Sequence, residues 1–268
     1  MPIFFDMIKL SVITVTKNNI NDLLHTIISL KQFSLTNHKL CLEFIIINGG
    51  DPLNVEEVFA QPNEWLIDLK IIEGADRSLY HAMNKGVRAS TGDFLWFMNS
   101  GDIISNKITA DTLYECITLN SPAKKVFVFE TINHENIKSN SNWKLFRFVH
   151  QGIIYCRSLH DSYGEYVDIK SFTSADYLFF SSIISEEPSL FVNFNMVVSK
   201  IGKPGLSARF NHNIGVAFSN WFISKDKSLI ILFLSIMVNL VKYKISKFYL
   251  IRQFKYRLIS TYIKLTNR

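Results

Sequence analysis

DRSLYHAMNKGVRASTGDFLWFMNSGD, residues 76–102, reads as a loop bearing the pair Asp76-Arg77, a helix, a tight turn at Thr91-Gly92, a buried strand from Asp93 to Met98, and a polar loop ending in Asp102. Polar residues at the exit of a buried strand mark the place where open α/β sheets bind ligands. Asn84, Lys85 and Gly86 add an amide, a point charge and a residue without a Cβ. That set suits a phosphate or sugar hydroxyls approached closely.

Upstream, Leu10 to Thr16 (LSVITVT) is a β-branched run fitting a strand buried on both faces. It ends in Lys17-Asn18-Asn19, and Asn19 or Asn21 can cap a helix to Phe33 with Leu23, Leu24, Ile27, Ile28 and Leu30 on its inner side. Glu43 to Ile47 is a second buried strand running into the turn Asn48-Gly49-Gly50-Asp51-Pro52, and Leu69 to Glu73 is a third. Strand, helix, strand, helix, strand in this order predicts an α/β fold with a mainly parallel sheet and right-handed crossovers. Its active edge is then the row of loops 17–19, 48–51, 74–77 and 99–102, all of them polar.

Downstream, Ile108 to Leu119 reads as a helix and Val126 to Glu130 as a strand, with an exposed loop over Asn133–Asn142. His150-Gln151-Gly152 opens a strand at Ile153–Tyr155, a helix runs from Ser174 or Ala175 to about Ile184, and Leu190 to Val198 is β-prone. Residues 1–215 are expected to form one domain, and 216–268 a basic and apolar helical extension.

The formal net charge is +6, yet residues 225–268 hold ten Lys/Arg against the single acid Asp226, which leaves the body before them near −3. A negative body argues against nucleic acid as a partner, and a positive, apolar tail points to an anionic membrane surface. Leu229 to Val241 is uncharged but falls short of the roughly 20 residues that span a bilayer, and the KYKISKFYLIRQFKYRL that follows alternates as an interfacial helix does. A core helix followed by a solvated basic helix is the other reading of this tail. Cys41, Cys116 and Cys156 have no metal or disulfide spacing and read as reduced thiols. The first residues, MPIFFDM, lack the pattern of a signal peptide.

The pattern DxxxYxAMNKGxxxxxGDFxxFxNSGD resembles family 2 glycosyltransferases, in particular the bacterial branch that builds capsule, exopolysaccharide and O-antigen repeat units. The likeness is strong over Leu10–Asp102 and weaker to about Arg209. It implies a GT-A fold and inverting transfer of a sugar from a UDP- or GDP-sugar. Thr16 and the loop after it would lie under the donor base, and Asn48 stands where the family has an Asp that meets the base. Asp76 and Arg77 would bind the donor, with Lys85 reaching a phosphate or carboxylate and Asn84 and Gly86 beside it. His150 and Gln151 resemble the family's HQG, which lines the cleft.

Such an enzyme needs a base for the acceptor hydroxyl and a positive group for the departing nucleoside diphosphate. The resemblance implies Mn²⁺ or Mg²⁺ for the second task, held by Asp102 with Asn99, although Asn99-Ser100-Gly101-Asp102 keeps only the last carboxylate of the usual Asp-rich motif. Read without the family, Asn99 and Asp102 can equally well shape a turn. Asp176, in SADYLFF, is the expected base, and Asp161, Glu165 and Asp168 are its substitutes. The implied acceptor is a polyprenyl-diphosphate-linked saccharide at the cytoplasmic face of the inner membrane, and a homo-oligomer is compatible with it. Other classes are a non-catalytic nucleotide-binding or scaffolding subunit, favoured by Asn48 and the lost first Asp, and a nucleotidyltransferase, disfavoured by the absence of a Gly-rich phosphate loop at the first strand.

Overall fold

The structure is a computed structural model that describes residues 8–35, 39–54, 67–121, 123–170, 172–202 and 210–223. The chain divides into two compact units, Met1–Lys170 with Phe179–Pro204, and Ser171–Leu178 with Gly205–Arg268. Residues 203–209, and residues 224–268 of the expected 216–268 extension, lie outside the described residues.

The first unit is built on β1 (Lys9–Thr16), α1 (Ile20–Ser34), β2 (Cys41–Asn48), β3 (Ile67–Glu73), α2 (Leu79–Ala89) and β4 (Phe94–Phe97). It continues with β5 (Ile103–Ile104), α3 (Ala110–Thr118), β6 (Val126–Ile132), β7 (Ile153–Cys156), α4 (Leu159–Tyr163), the end of α5 (Ala175–Glu186) and β8 (Phe191–Lys200). One eight-stranded sheet runs β3-β2-β1-β4-β7-β6-β8-β5. β3, β2, β1 and β4 are parallel, as the apolar β1 and β2 require: all but the first residue of each is buried, so both faces must be covered.

The sheet departs from the expected parallel pattern at β7, which is antiparallel to both β4 and β6. Residues 133–152, between β6 and β7, contain no α-helix to carry a parallel crossover, so the chain returns antiparallel. β8 then pairs parallel with β6 and antiparallel with the two-residue β5.

The helices follow their caps. The Asn19 side chain accepts from Asp22 N at 3.2 Å to start α1, and Ser78 Oγ accepts from His81 N at 2.9 Å to start α2. α2 lies close on the sheet because Gly86 has no side chain: a Cβ there would stand 2.5 Å from Ile13 Cγ2. The missing Cβ that the sequence suggested for ligand approach is therefore used for packing. Phe33 meets Trp96 edge-on in the core beneath α1.

In the second unit, α6 (Phe210–Ile223) was not anticipated as a separate element. Gly215 lets it approach Ser174, where a Cβ would stand 2.0 Å from Oγ, and Tyr177 Oη donates to Asn220 Oδ1 at 2.9 Å.

Candidate functional site

The loops after β1, β2, β3 and β4 sit together at the C-terminal ends of the parallel strands, held by backbone bonds: Gly49 N to Thr16 O at 3.0 Å, Gly74 N to Asn48 O at 3.0 Å and Ser100 N to Val15 O at 3.3 Å. Asn18, at φ 53°, takes the left-handed conformation that Asn tolerates, and its Oδ1 accepts from Asp51 N at 2.7 Å. Sequence reading missed Asn18 as a site-shaping residue; its signal is an Asn pair between a buried strand and a helix. Asn48 is fully buried, its Nδ2 donating to Asp51 O at 2.6 Å and its Oδ1 accepting from Gly50 N at 3.1 Å. It shapes the β2 loop with both halves of its amide.

Asp76 lies over this loop. Its Oδ1 is 2.9 Å from His81 Nδ1 and 2.8 Å from Lys85 Nζ, and Lys85 also donates to Gly74 O at 3.1 Å and Ala75 O at 3.3 Å. The ammonium expected to reach a ligand is thus engaged with its own loop. Oδ2 of Asp76 overhangs Gly49, where an added Cβ would stand 2.6 Å away. Arg77, with a side chain 76% exposed, pairs with Asp168 at 2.7 Å, and Ser78 Oγ bonds to the other Asp168 oxygen. The Ser78 bond leads in drawing the Asp168 carboxyl below its ordinary range, which suits it poorly as a base. Glu165 is likewise engaged, both its carboxylate oxygens accepting from Arg88 Nη1, at 2.5 and 2.6 Å. Asn84 is buried and spends both amide atoms on the Tyr166 backbone, donating to its O at 2.8 Å and accepting from its N at 3.0 Å. It clamps the 164–168 segment to α2.

The loop after β4 is knotted around Asp102, which is 3% exposed. Its Oδ2 accepts from Asn99 N at 2.8 Å and Gln151 Nε2 at 2.9 Å, and its Oδ1 accepts from Gly202 N at 2.9 Å. Burial pushes its carboxyl upward, opposed by the bonds from Gly202, Gln151 and Asn99. Thr26 Oγ1 donates to Asp102 O at 2.8 Å and accepts from Gly101 N at 3.0 Å, tying α1 to the same turn. Asn99 Nδ2 is 3.1 Å from His150 Nε2, and Gln151 O is held by Trp96 Nε1 and Ser199 Oγ, each at 2.9 Å. Two buried acceptors in this knot, Asn99 Oδ1 and Gln151 Oε1, have no hydrogen-bond donor among the described residues. Thr16, Asn48, Asp76, Asn99, Asp102, His150 and Gln151 thus all belong to the first unit and to its loop network. Asp176 belongs to the second unit, in the first turn of α5, where the helix dipole favours a carboxylate.

Residues 11–110 match the glycosyl transferase family 2 model. A PGL/p-HBAD biosynthesis glycosyltransferase of Mycobacterium bovis is 29% identical over 135 residues, covering 46% of this chain and 51% of that protein. An uncharacterized glycosyltransferase of Mycobacterium tuberculosis is 28% identical over 126 residues, 44% of each chain. The chain spans about half the length of the curated relatives it matches. Among solved structures, S. aureus TarS 1-349 in complex with UDP-GlcNAc superposes with a TM-score of 0.59 at 14% identity, covering 80% of this chain and 66% of that one. The mannosyltransferase PcManGT from Pyrobaculum calidifontis, in complex with GDP-Man and Mn²⁺, gives a TM-score of 0.59 at 13% identity, covering 85% and 68%. The fold is the mixed α/β GT-A type of these neighbours.

A divalent cation of the kind bound in PcManGT needs hard oxygens with open lone pairs. The Asp102 carboxylate already accepts three N–H groups inside the protein. Gly101 (φ +95°) contributes no side chain, and no group of three His, Cys, Asp or Glu side chains gathers among the described residues. The residues present therefore do not fit a cation held by Asp102 as the sequence suggested. The carboxylate holds the loop instead.

Proposed function

We propose that the protein is an inverting glycosyltransferase that takes a sugar from a UDP- or GDP-sugar and places it on an acceptor hydroxyl. The observation that carries this reading is the pair of buried amide oxygens, Asn99 Oδ1 after β4 and Gln151 Oε1 ahead of β7, left without donors among the described residues. A buried acceptor without a partner costs about 1–3 kcal/mol, and sugar or ribose hydroxyls are the donors that would relieve it. The match of residues 11–110 to a sugar-transferring family supports the same chemistry.

In this reading Thr16 and the Asn48 loop underlie the base, and Asp76, oriented by His81 and Lys85, offers its Oδ2 to base or ribose. No step is routed through a cation; the exposed Lys17 and Arg77 are the side chains we assign to the diphosphate charge. Asp176 is the base, on the ground of the SADYLFF resemblance. The acceptor is a polyprenyl-diphosphate-linked saccharide of surface polysaccharide synthesis, such as capsule or O-antigen. The basic, apolar sequence 225–268 attaches the protein to the anionic inner face of the membrane. No helix among the described residues is long and apolar enough to cross a membrane.

The test is calorimetric titration of UDP- and GDP-sugars, with and without Mn²⁺ or Mg²⁺. Saturable binding of one of them supports the reading and names the donor. No binding by any of them removes it and favours the non-catalytic scaffold, which the engagement of Asn48, Asn84 and Lys85 within the protein would also suit.

A further inference from the structure

Three chain segments far apart in sequence meet at one carboxylate. Asp102 takes the amide of Asn99 in its own turn, the side chain of Gln151 ahead of β7, and the amide of Gly202 after β8. The fit at the third segment is close: a Cβ on Gly202 would stand 2.7 Å from Gly101 O. The two-residue pairing of Ile103–Ile104 with Ser199 and Lys200 brings that segment alongside. Nearly complete burial leaves the carboxylate stabilised by these three donors in place of water.

We propose that Asp102 is a positioning residue that fixes the Gln151 side-chain amide and, through the Asn99 backbone N–H, the turn that carries the Asn99 side chain, and that it does not ligate a divalent cation. Their orientation toward a ligand rests on the transferase reading; the clamp does not. With Gln151 Nε2 held by Asp102 and Asn99 Nδ2 by His150, the two amide oxygens are kept from turning to other donors, and a hydroxyl-bearing ligand meets them already oriented. Replacing Asp102 by Asn keeps the shape but sets an N–H₂ against groups that are themselves donors, so at least one of the three bonds is lost and its donor stays buried.

The experiment is hydrogen–deuterium exchange on the full chain, wild type and Asp102→Asn, in EDTA, in Mn²⁺, in UDP, and in Mn²⁺ with UDP, following 99–104, 150–153 and 198–202. The clamp predicts that wild type protects all three segments in EDTA and that Mn²⁺, alone or added to UDP, changes none of them. It also predicts that the variant exchanges roughly tenfold faster in all three together. Protection that appears in wild type only with Mn²⁺, or a variant that loosens only 99–104, overturns it. Should Asp102→Asn fail to fold, Gln151→Met removes one donor and must loosen 99–104 as well as 150–153; unchanged exchange at 99–104 overturns the clamp. If every nucleotide sugar fails to bind while these exchange differences hold, the transferase reading falls and the clamp stands.

Discussion

Glu43 is fully buried at the end of β2 away from the ligand loops, and its loss should cost stability in a pH-dependent way. Oε2 accepts from Ser11 Oγ at 2.5 Å and Thr91 N at 2.9 Å, while Oε1 accepts from Lys70 Nζ at 2.5 Å and Thr91 Oγ1 at 2.8 Å, with Lys9 Nζ 3.5 Å away. Burial alone would raise this carboxyl, but Lys70, Ser11 and Thr91 outweigh it and hold it at about 2, against an ordinary 4.5. At about 1.4 kcal/mol per pH unit, that gap is worth about 3 kcal/mol, in line with the roughly 3–5 kcal/mol lost when one partner of a buried pair is removed. Because the folded pKa is depressed, the contribution is complete well above pH 4.5 and is lost as pH falls toward 2, with about 2 kcal/mol gone by pH 3. Urea unfolding of wild type and Glu43→Gln should therefore differ by about 3 kcal/mol at pH 7 and by only about 1 kcal/mol at pH 3. A difference that does not change with pH, or one below about 0.5 kcal/mol at pH 7, would refute the reasoning.

Gly49→Ala places a methyl group 2.6 Å from Asp76 Oδ2 and must displace one or the other. Donor affinity measured by calorimetry should fall about tenfold with little change in the urea midpoint, and an unchanged Kd would take Asp76 out of the donor site. Neutralising Lys242, Lys244 and Lys247 to Gln in the full chain should weaken binding to vesicles containing anionic lipid. At about 1 kcal/mol per basic residue the loss is on the order of a hundredfold, and salt should abolish the difference. Equal sedimentation of the two proteins with vesicles at low salt would count against the membrane tail.

Most of the scaffold was legible because burial on both faces of a parallel strand writes a plain apolar run. LSVITVT, EFIII and DFLWFM each lie within a residue or two of an observed strand, and Asn19 caps α1. The antiparallel turn-back at β7 was not legible, since IIYC carries the same apolar signal whichever way the strand runs. β5 was missed because two isoleucines gain a partner only through the distant β8.

The site was legible as a set of loops but not as a set of roles. Asn48, Asn84, Lys85, Gly86 and Asp102 are each polar or small residues where a ligand-binding residue would stand, yet each is engaged with its own chain. Sequence spacing locates a side chain on an element without saying which donors from residues 80 or 100 positions away reach it first, as Tyr166 reaches Asn84 and Gly202 reaches Asp102. Gly86 shows the same limit in reverse, because a glycine that admits a ligand and one that admits Ile13 are written alike.

Sugar transfer is tested most directly by release of nucleoside diphosphate. Wild type and Asp176→Asn would each be incubated with UDP- and GDP-sugars and a membrane lipid extract as acceptor source, and UDP and GDP followed by chromatography. The account predicts release from one donor by wild type, at least about a hundredfold slower release by Asp176→Asn, and equal donor binding by both. Release at the wild-type rate by Asp176→Asn, or no release from any donor that binds, would contradict it.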